Sequence, residues 1–111
     1  MIDTPEKRSI ISGIGMSRIG RRTGIPDIEL TVESARTAIE DAGLTVADID
    51  GLATYPGPMG VPAGFSGAGA YEVIDALRLH PGWYGSGIET SGQLGSVINA
   101  LTRSPCRLRC K

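Results

Sequence analysis

The chain is poor in the residues that usually announce a chemical site. It has 111 residues, one histidine, two cysteines and only 5% aromatic residues. Cys106 and Cys110 stand at C-x-x-x-C spacing, and His80 lies 26 residues before the first of them. A structural zinc site needs four ligands, so these three residues do not assemble one, and no metal site is expected. Charge of one sign is also lacking. The formal net charge is −1, which offers no sustained cationic surface for phosphates and excludes nucleic acid as a general partner. No run approaches the ~18 consecutive apolar residues of a membrane span. Asp3, Glu6, Lys7 and Arg8 precede a short Ile10-Ile11 pair, so no signal peptide is read and a cytoplasmic location is expected.

Glycine and proline are plentiful instead, at 16 and 7 residues. Their share stays below the ~25–30% at which disorder becomes the leading reading. The charges are segregated along the chain. Residues 1–22 hold five cations against two acids, and residues 31–50 hold five acids against Arg36 alone. The last nine residues carry Arg103, Arg107, Arg109 and Lys111 with no acid.

Hydrophobic periodicity organises the chain as strand, helix, strand, helix, strand, helix. Residues 9–15 read as a first strand and residues 16–30 as a loop. Val32, Ala35, Ile39 and Ala42 form one helical stripe, with Thr31 placed to cap the start and Gly43 the end. Thr45 with Asp48 reads as a capped turn. Ile49 to Tyr55 reads as a second strand. Residues 56–69, with five Gly and three Pro, read as a loop suited to lining a site. A second helix follows over Ala70 to Leu79, with Val73, Ile74 and Leu77 as its stripe. Trp83 to Glu89 reads as a third strand, Thr90 to Gly95 as a turn, and Leu94, Val97, Ile98 and Leu101 open a third helix. That alternation specifies an α/β fold with an incomplete sheet and covering helices. Pro105 and four cations stand where further apolar turns belong. The expected division is therefore residues 1–101 as part of a larger domain and 102–111 as a basic tail, either native or foreign to the parent fold. If the three strands leave an edge and apolar faces uncovered, the isolated chain should aggregate, dimerise or be partly molten.

Two segments invite a chemical reading. Gly13-Ile-Gly15-Met-Ser-Arg-Ile-Gly20 departs from the dinucleotide fingerprint, because its third glycine is late and no helix opens directly after it. Gly85 to Ser96 is more informative, since a strand there enters a glycine-rich turn and then an apolar helix. A group at such a turn meets the positive end of the helix dipole. Thr90, Ser91 and Ser96 are the hydroxyls on offer, with His80 as the available base; equally, Thr90 or Ser91 simply caps the helix.

Residues 11–20, the helix ending Asp41-Ala-Gly-Leu44, Asp48-Ile-Asp-Gly-Leu52 and Gly85-Ser-Gly-Ile-Glu-Thr-Ser-Gly92 together resemble the N-terminal part of thiolase-superfamily proteins. The nearest branch is the sterol-carrier-protein-type thiolases and lipid-transfer-protein-like proteins, often described as acetyl-CoA acetyltransferases. The resemblance spans residues 8–101 and implies a partial thiolase-like fold. It also implies a homodimeric parent in lipid or steroid metabolism that acts on acyl-CoA thioesters without a further cofactor. The family nucleophile is a Cys at the start of the helix after the third strand. Aligning its C-x-S-G motif on Gly95 puts Gly92 at that position, and a one-residue slip puts Ser91 there. The resemblance therefore implies the branch of steroid side-chain aldolases, which cleave steroid-CoA thioesters by a retro-aldol step with a zinc-ribbon/OB-fold partner. Their catalytic groups lie outside these residues, so the chain is expected to be an inactive fragment. The other reading is a small anion- or CoA-binding interaction module without catalysis.

Overall fold

The computed structural model describes residues 9–21, 23–55, 68–86 and 92–109. The first helix, α1 (Asp27–Asp41), begins four residues before the expected Thr31 cap. Pro26, with its φ of −58°, sets the entry, and its carbonyl accepts the N–H groups of Glu29 and Leu30. Asp27 and Glu29 then place negative charge in the first turn, where the helix dipole favours it. Thr31 is an interior residue. Its hydroxyl donates to the Asp27 carbonyl at 2.8 Å and accepts the Ala68 N–H at 3.3 Å, tying α1 to the approach of the next helix. The end of α1 matches expectation. Gly43 has a φ of +72°, and the N–H groups of Gly43 and Leu44 return to the carbonyls of Glu40 and Ile39.

The expected turn at 45–48 is a short 3-10 segment, Val46–Asp48. The Asp48 carboxylate accepts both the backbone N–H of Thr45 at 2.8 Å and its hydroxyl at 3.0 Å. These bonds, the backbone one foremost, hold the Asp48 pKa below its ordinary value. The charged form is thereby favoured in the fold, so its contribution is present above the unfolded carboxylate range near pH 4 and is lost as pH falls through the lowered value. Urea titrations at pH 6 and pH 3 are expected to show a smaller acid-side loss of stability in Asp48→Ala than in the wild type.

Strand β1 (Gly51–Thr54) and strand β2 (Trp83–Ser86) pair in parallel, with Gly51 opposite Trp83 and Thr54 opposite Ser86. Both are shorter than expected, and residues 87–89 of the third expected strand lie outside the described residues. Helix α2 (Ala70–Leu77) makes the crossover that a parallel pair requires. Arg78 closes α2 in the left-handed region, with a φ of +53°, so the helix ends at Leu77, two residues before the expected end. The Gly82 N–H donates to the Asp50 carbonyl at 2.7 Å and aligns the entries to the two strands.

The core is small. Ala68, Val73, Leu77 and Leu79 form its buried cluster, and Ile28, Val32, Ala35, Leu52 and Ile74 pack around it. Leu52 therefore faces α1 and α2, and the alternation of a strand turns Gly51 and Ala53 the other way. On that other face lies helix α3 (Gly92–Arg109), which packs on both strands. The result is a helix–sheet–helix sandwich with two parallel strands among the described residues.

Two expectations fail at the ends of the chain. Residues 9–15 do not form a strand. Gly13 and Gly15 lie so close to α1 that a Cβ on either would strike the helix backbone at Ala38 and, for Gly15, at Ser34. The Ile14 N–H is spent on the Asp41 carboxylate at 3.0 Å, and the Arg18 N–H on Glu33 at 3.2 Å. Within the expected strand the Ile14 donor is thus taken by α1, and the close glycine contacts seat the segment on that helix rather than in the sheet. Helix α3, for its part, does not stop near Leu101 but continues through Pro105. Proline has no N–H for the carbonyl four residues back, here that of Leu101. The Ser9 hydroxyl donates to that carbonyl at 3.2 Å, replacing the missing bond from 92 residues away.

Candidate functional site

In a parallel sheet, ligands gather outside the carboxyl ends of the strands, where loops leave and helices begin. Here that edge is formed by Thr54, Ser86 and the start of α3 at Gly92. Gly92, the position aligned with the family nucleophile, is the first residue of α3. Ser91 and Thr90 lie outside the described residues, as does most of the glycine-rich loop read at 56–69. Ser96 sits one turn into α3 and is buried. Its hydroxyl donates to the Thr54 carbonyl at 2.6 Å, so it fastens α3 to the end of β1 rather than waiting as a nucleophile. Ser96→Ala is expected to cost about 0.5–1.5 kcal/mol in a urea melt, the usual net worth of a hydrogen bond.

His80 follows α2, is exposed, and makes no hydrogen bond among the described residues. It is not joined to Ser96 as a base. Of the two cysteines, Cys106 falls within α3 and Cys110 outside the described residues. No group of three or more His, Cys, Asp or Glu residues converges on a metal position among the described residues.

Among the described residues, a groove opens on each side of the sandwich. One, of about 460 Å³, separates Ile10 and Ile11 from Val97, Ala100 and Leu101, with Gly51, Ala53 and Trp83 as its floor. Trp83 takes this place because Gly51 opposite it has no side chain: a Cβ there would meet the indole ring. The other groove, of about 720 Å³, lies on the α1–α2 side, floored by Ile28, Val32 and Ala76. Arg18, Arg36, Glu29 and Glu33 line it in equal numbers of each sign, and Arg18 Nε is bound to Glu33 at 3.0 Å. That balance gives an anion no electrostatic advantage. Sequence reasoning missed one further contact. The exposed rings of Tyr71 and Tyr84 meet edge to face at 5.6 Å, linking α2 to β2. The Tyr71 hydroxyl donates to Tyr84, and that hydrogen bond, with the negative charge of an ionised Tyr84 adding to it, raises the Tyr71 pKa above the ordinary phenol value.

With this edge-of-sheet geometry in place, the comparison with known proteins is specific. The likeness is to a steroid side-chain-cleaving aldolase. That protein, from Thermomonospora curvata, is 40% identical over 45 residues, which are 40% of this chain and 12% of the relative. A solved Ltp2–ChsH2 (DUF35) aldolase superposes with a TM-score of 0.63 at 26% identity, covering 82% of this chain and 22% of that one. The solved aldolase is named for two proteins together. No known family profile matches the chain. The chain thus spans about a fifth or less of the length of these relatives. A relation to steroid-metabolising aldolases accounts for both likenesses, and the partial α/β architecture agrees with it. No helix among the described residues is long and apolar enough to cross a membrane.

Proposed function

We propose that this chain corresponds to the opening portion of a thiolase-like, steroid-CoA side-chain-cleaving aldolase, and that by itself it is catalytically silent. The observation that carries the reading is the 40% identity to the Thermomonospora curvata aldolase; the superposition on the Ltp2–ChsH2 aldolase supports it over most of the chain.

The chemistry explains the silence. In a retro-aldol cleavage of a β-hydroxy thioester, a base takes the hydroxyl proton and the Cα–Cβ bond breaks. Its electron pair becomes a thioester enolate, which donors must stabilise until an acid returns a proton. The described residues provide the scaffold for such a site, namely two strand ends and the start of a helix. They do not provide the groups: Ser96 is committed to Thr54, and His80 points to no partner. The remaining segments of a longer fold, and a companion protein of the zinc-ribbon/OB-fold kind, would supply the acid, the base and the substrate pocket.

A chimera tests the reading. Residues 9–101 of this chain are placed in the Thermomonospora curvata aldolase in exchange for the portion that corresponds to them. Cleavage of a steroid side-chain CoA thioester is then followed for the chimera and for the 111-residue chain alone. Turnover is expected from the chimera and none above blank from the short chain. A folded but inactive chimera would overturn the proposed correspondence, and turnover by the short chain would overturn its silence.

A further inference from the structure

The chain has three tyrosines, and the fold brings Tyr71 and Tyr84 together. Tyr71 stands in the first turn of α2, and Tyr84 is the second residue of β2. Tyr84 is in register with Leu52, so its ring shares the helix-facing side of the sheet and meets Tyr71 there. The rings approach to 5.6 Å between centres, with 64° between their planes, within the ~4.5–7 Å range of aromatic pairs in contact. They are 51% and 50% exposed, so a small reagent in solution reaches both. Tyr55, just past β1, is partly buried. Two phenylalanines would make the same edge-to-face contact. What the tyrosines add is a pair of phenols side by side at the surface.

A one-electron oxidant takes an electron from a phenol ring as the hydroxyl gives up its proton. The unpaired electron of the resulting phenoxyl spreads to the carbons ortho to the oxygen. Two such radicals join through these carbons, each giving one electron to the new C–C bond. Each bonded carbon then passes its hydrogen, as a proton through water, to the oxygen of its own ring, and both rings are phenols again. The product is an ortho-linked biphenol whose two hydroxyls lie beside each other. The Tyr71 hydroxyl already donates to Tyr84, so the carbons that must join are those flanking an existing contact. Ortho substitution also holds the rings of a biphenol out of one plane, as these rings are held. Exposed side chains change rotamer within picoseconds to nanoseconds, so ring rotation can align the two carbons without opening the fold.

We propose that Tyr71 and Tyr84 form an oxidative modification site, at which a peroxide-driven one-electron oxidant joins α2 to β2 by a dityrosine bond within one chain. Each bond formed withdraws two electrons and two protons in all, and the electrons reduce the O–O bond of one peroxide. The link closes a loop from residue 71 to residue 84. Val73, Leu77 and Leu79 of the buried cluster lie inside that loop. Tying its ends restricts the unfolded chain as a disulfide does, so the bond clamps the crossover on which the core is built. This site is independent of the aldolase reading, since neither tyrosine stands at the edge formed by Thr54, Ser86 and the start of α3.

The 111-residue chain, at low micromolar concentration, is illuminated with a ruthenium trisbipyridine sensitiser and persulfate, itself a peroxide, in buffer and again in urea. In buffer, the blue fluorescence of dityrosine is expected in a product of monomer mass less two hydrogens. Trypsin cuts after Arg78, between the two tyrosines, so residues 37–78 and 79–103 should emerge joined. They should emerge joined from Tyr55→Phe as well, which assigns the link to Tyr71. Tyr71→Phe and Tyr84→Phe, which keep the ring contact, should each lower the intrachain yield at least tenfold, and so should urea. The linked chain should melt at a higher temperature than the untreated one. Absence of dityrosine overturns the proposal, as do links formed between chains only, links through Tyr55, or an equal yield in urea. A link that leaves the melting temperature unchanged overturns the clamp. The wild-type peptide map in buffer and in urea decides the matter even if a phenylalanine variant fails to fold.

Discussion

Leu77→Ala is expected to remove about 2–4 kcal/mol of stability, the usual range for emptying a buried leucine site. Leu77 is 5% exposed and stands at the end of the α2 stripe, in contact with the cluster of Ala68, Val73 and Leu79. The loss matters more here than in a larger protein. A domain of this length has on the order of 5–15 kcal/mol in total, and a core with four buried cluster members belongs near the lower end. Urea denaturation followed by circular dichroism should show the midpoint falling by half or more, with much of the population unfolded before denaturant is added. Leu44→Ala provides the control. Leu44 is a 43% exposed residue just past the α1 terminus, so its truncation should cost under about 0.5 kcal/mol. Equal effects at the two sites would mean that the centre of the fold does not lie on α2.

The elements that the sequence announces correctly are those decided by near neighbours. The Gly43 terminus needs only the left-handed conformation that glycine adopts freely and the carbonyls three and five residues back. The Thr45–Asp48 turn closes within four residues, and the α2 stripe repeats within two turns. Where the reading fails, a distant partner has decided between locally equivalent options. A threonine before an apolar stripe serves equally as a cap or as a back-bonded interior residue. Ala68, 37 residues away, draws Thr31 to the second role. The apolar run at 9–15 suits a strand by composition, yet its Ile14 N–H is claimed by Asp41 on α1, and its two glycines seat the backbone against that helix. Pro105 reads as a helix stop until Ser9 takes up the Leu101 carbonyl.

The same division runs through the candidate site. That a hydroxyl would stand near the start of the last helix is visible in the spacing from Gly85 to Ser96. That the Ser96 hydroxyl is spent on Thr54, 42 positions earlier, depends on the parallel register that brings the end of β1 beneath α3. The unsuitability of His80 as a base has a related cause. Its position after α2 is local and legible, whereas its separation from the sheet edge follows from the way α2 crosses back to β2.

Gly15→Ala tests the attachment of the N-terminal segment, and its effect should be local and large. A Cβ at this position would strike the α1 backbone at Ser34 and Ala38, and a helix backbone cannot yield as a flexible side chain does. The segment must therefore lift away, releasing the Ile14 N–H from Asp41 and the Arg18 N–H from Glu33. Amide exchange at Ile14 and Arg18 should accelerate at least tenfold, and proteolysis between residues 9 and 21 should quicken in step. Ser12→Ala, an exposed substitution in the same segment, should leave both rates unchanged. The response of the core separates two physical pictures of this fold. None of the five exposed side chains from Ile10 to Ile19 reaches the cluster around Val73 and Leu77, so that cluster should keep its stability when the segment is released. If Gly15→Ala instead lowers the global midpoint as far as Leu77→Ala does, the segment is integral to the cooperative unit. The glycine-to-helix contact would then be holding the layers together rather than holding a strap in place.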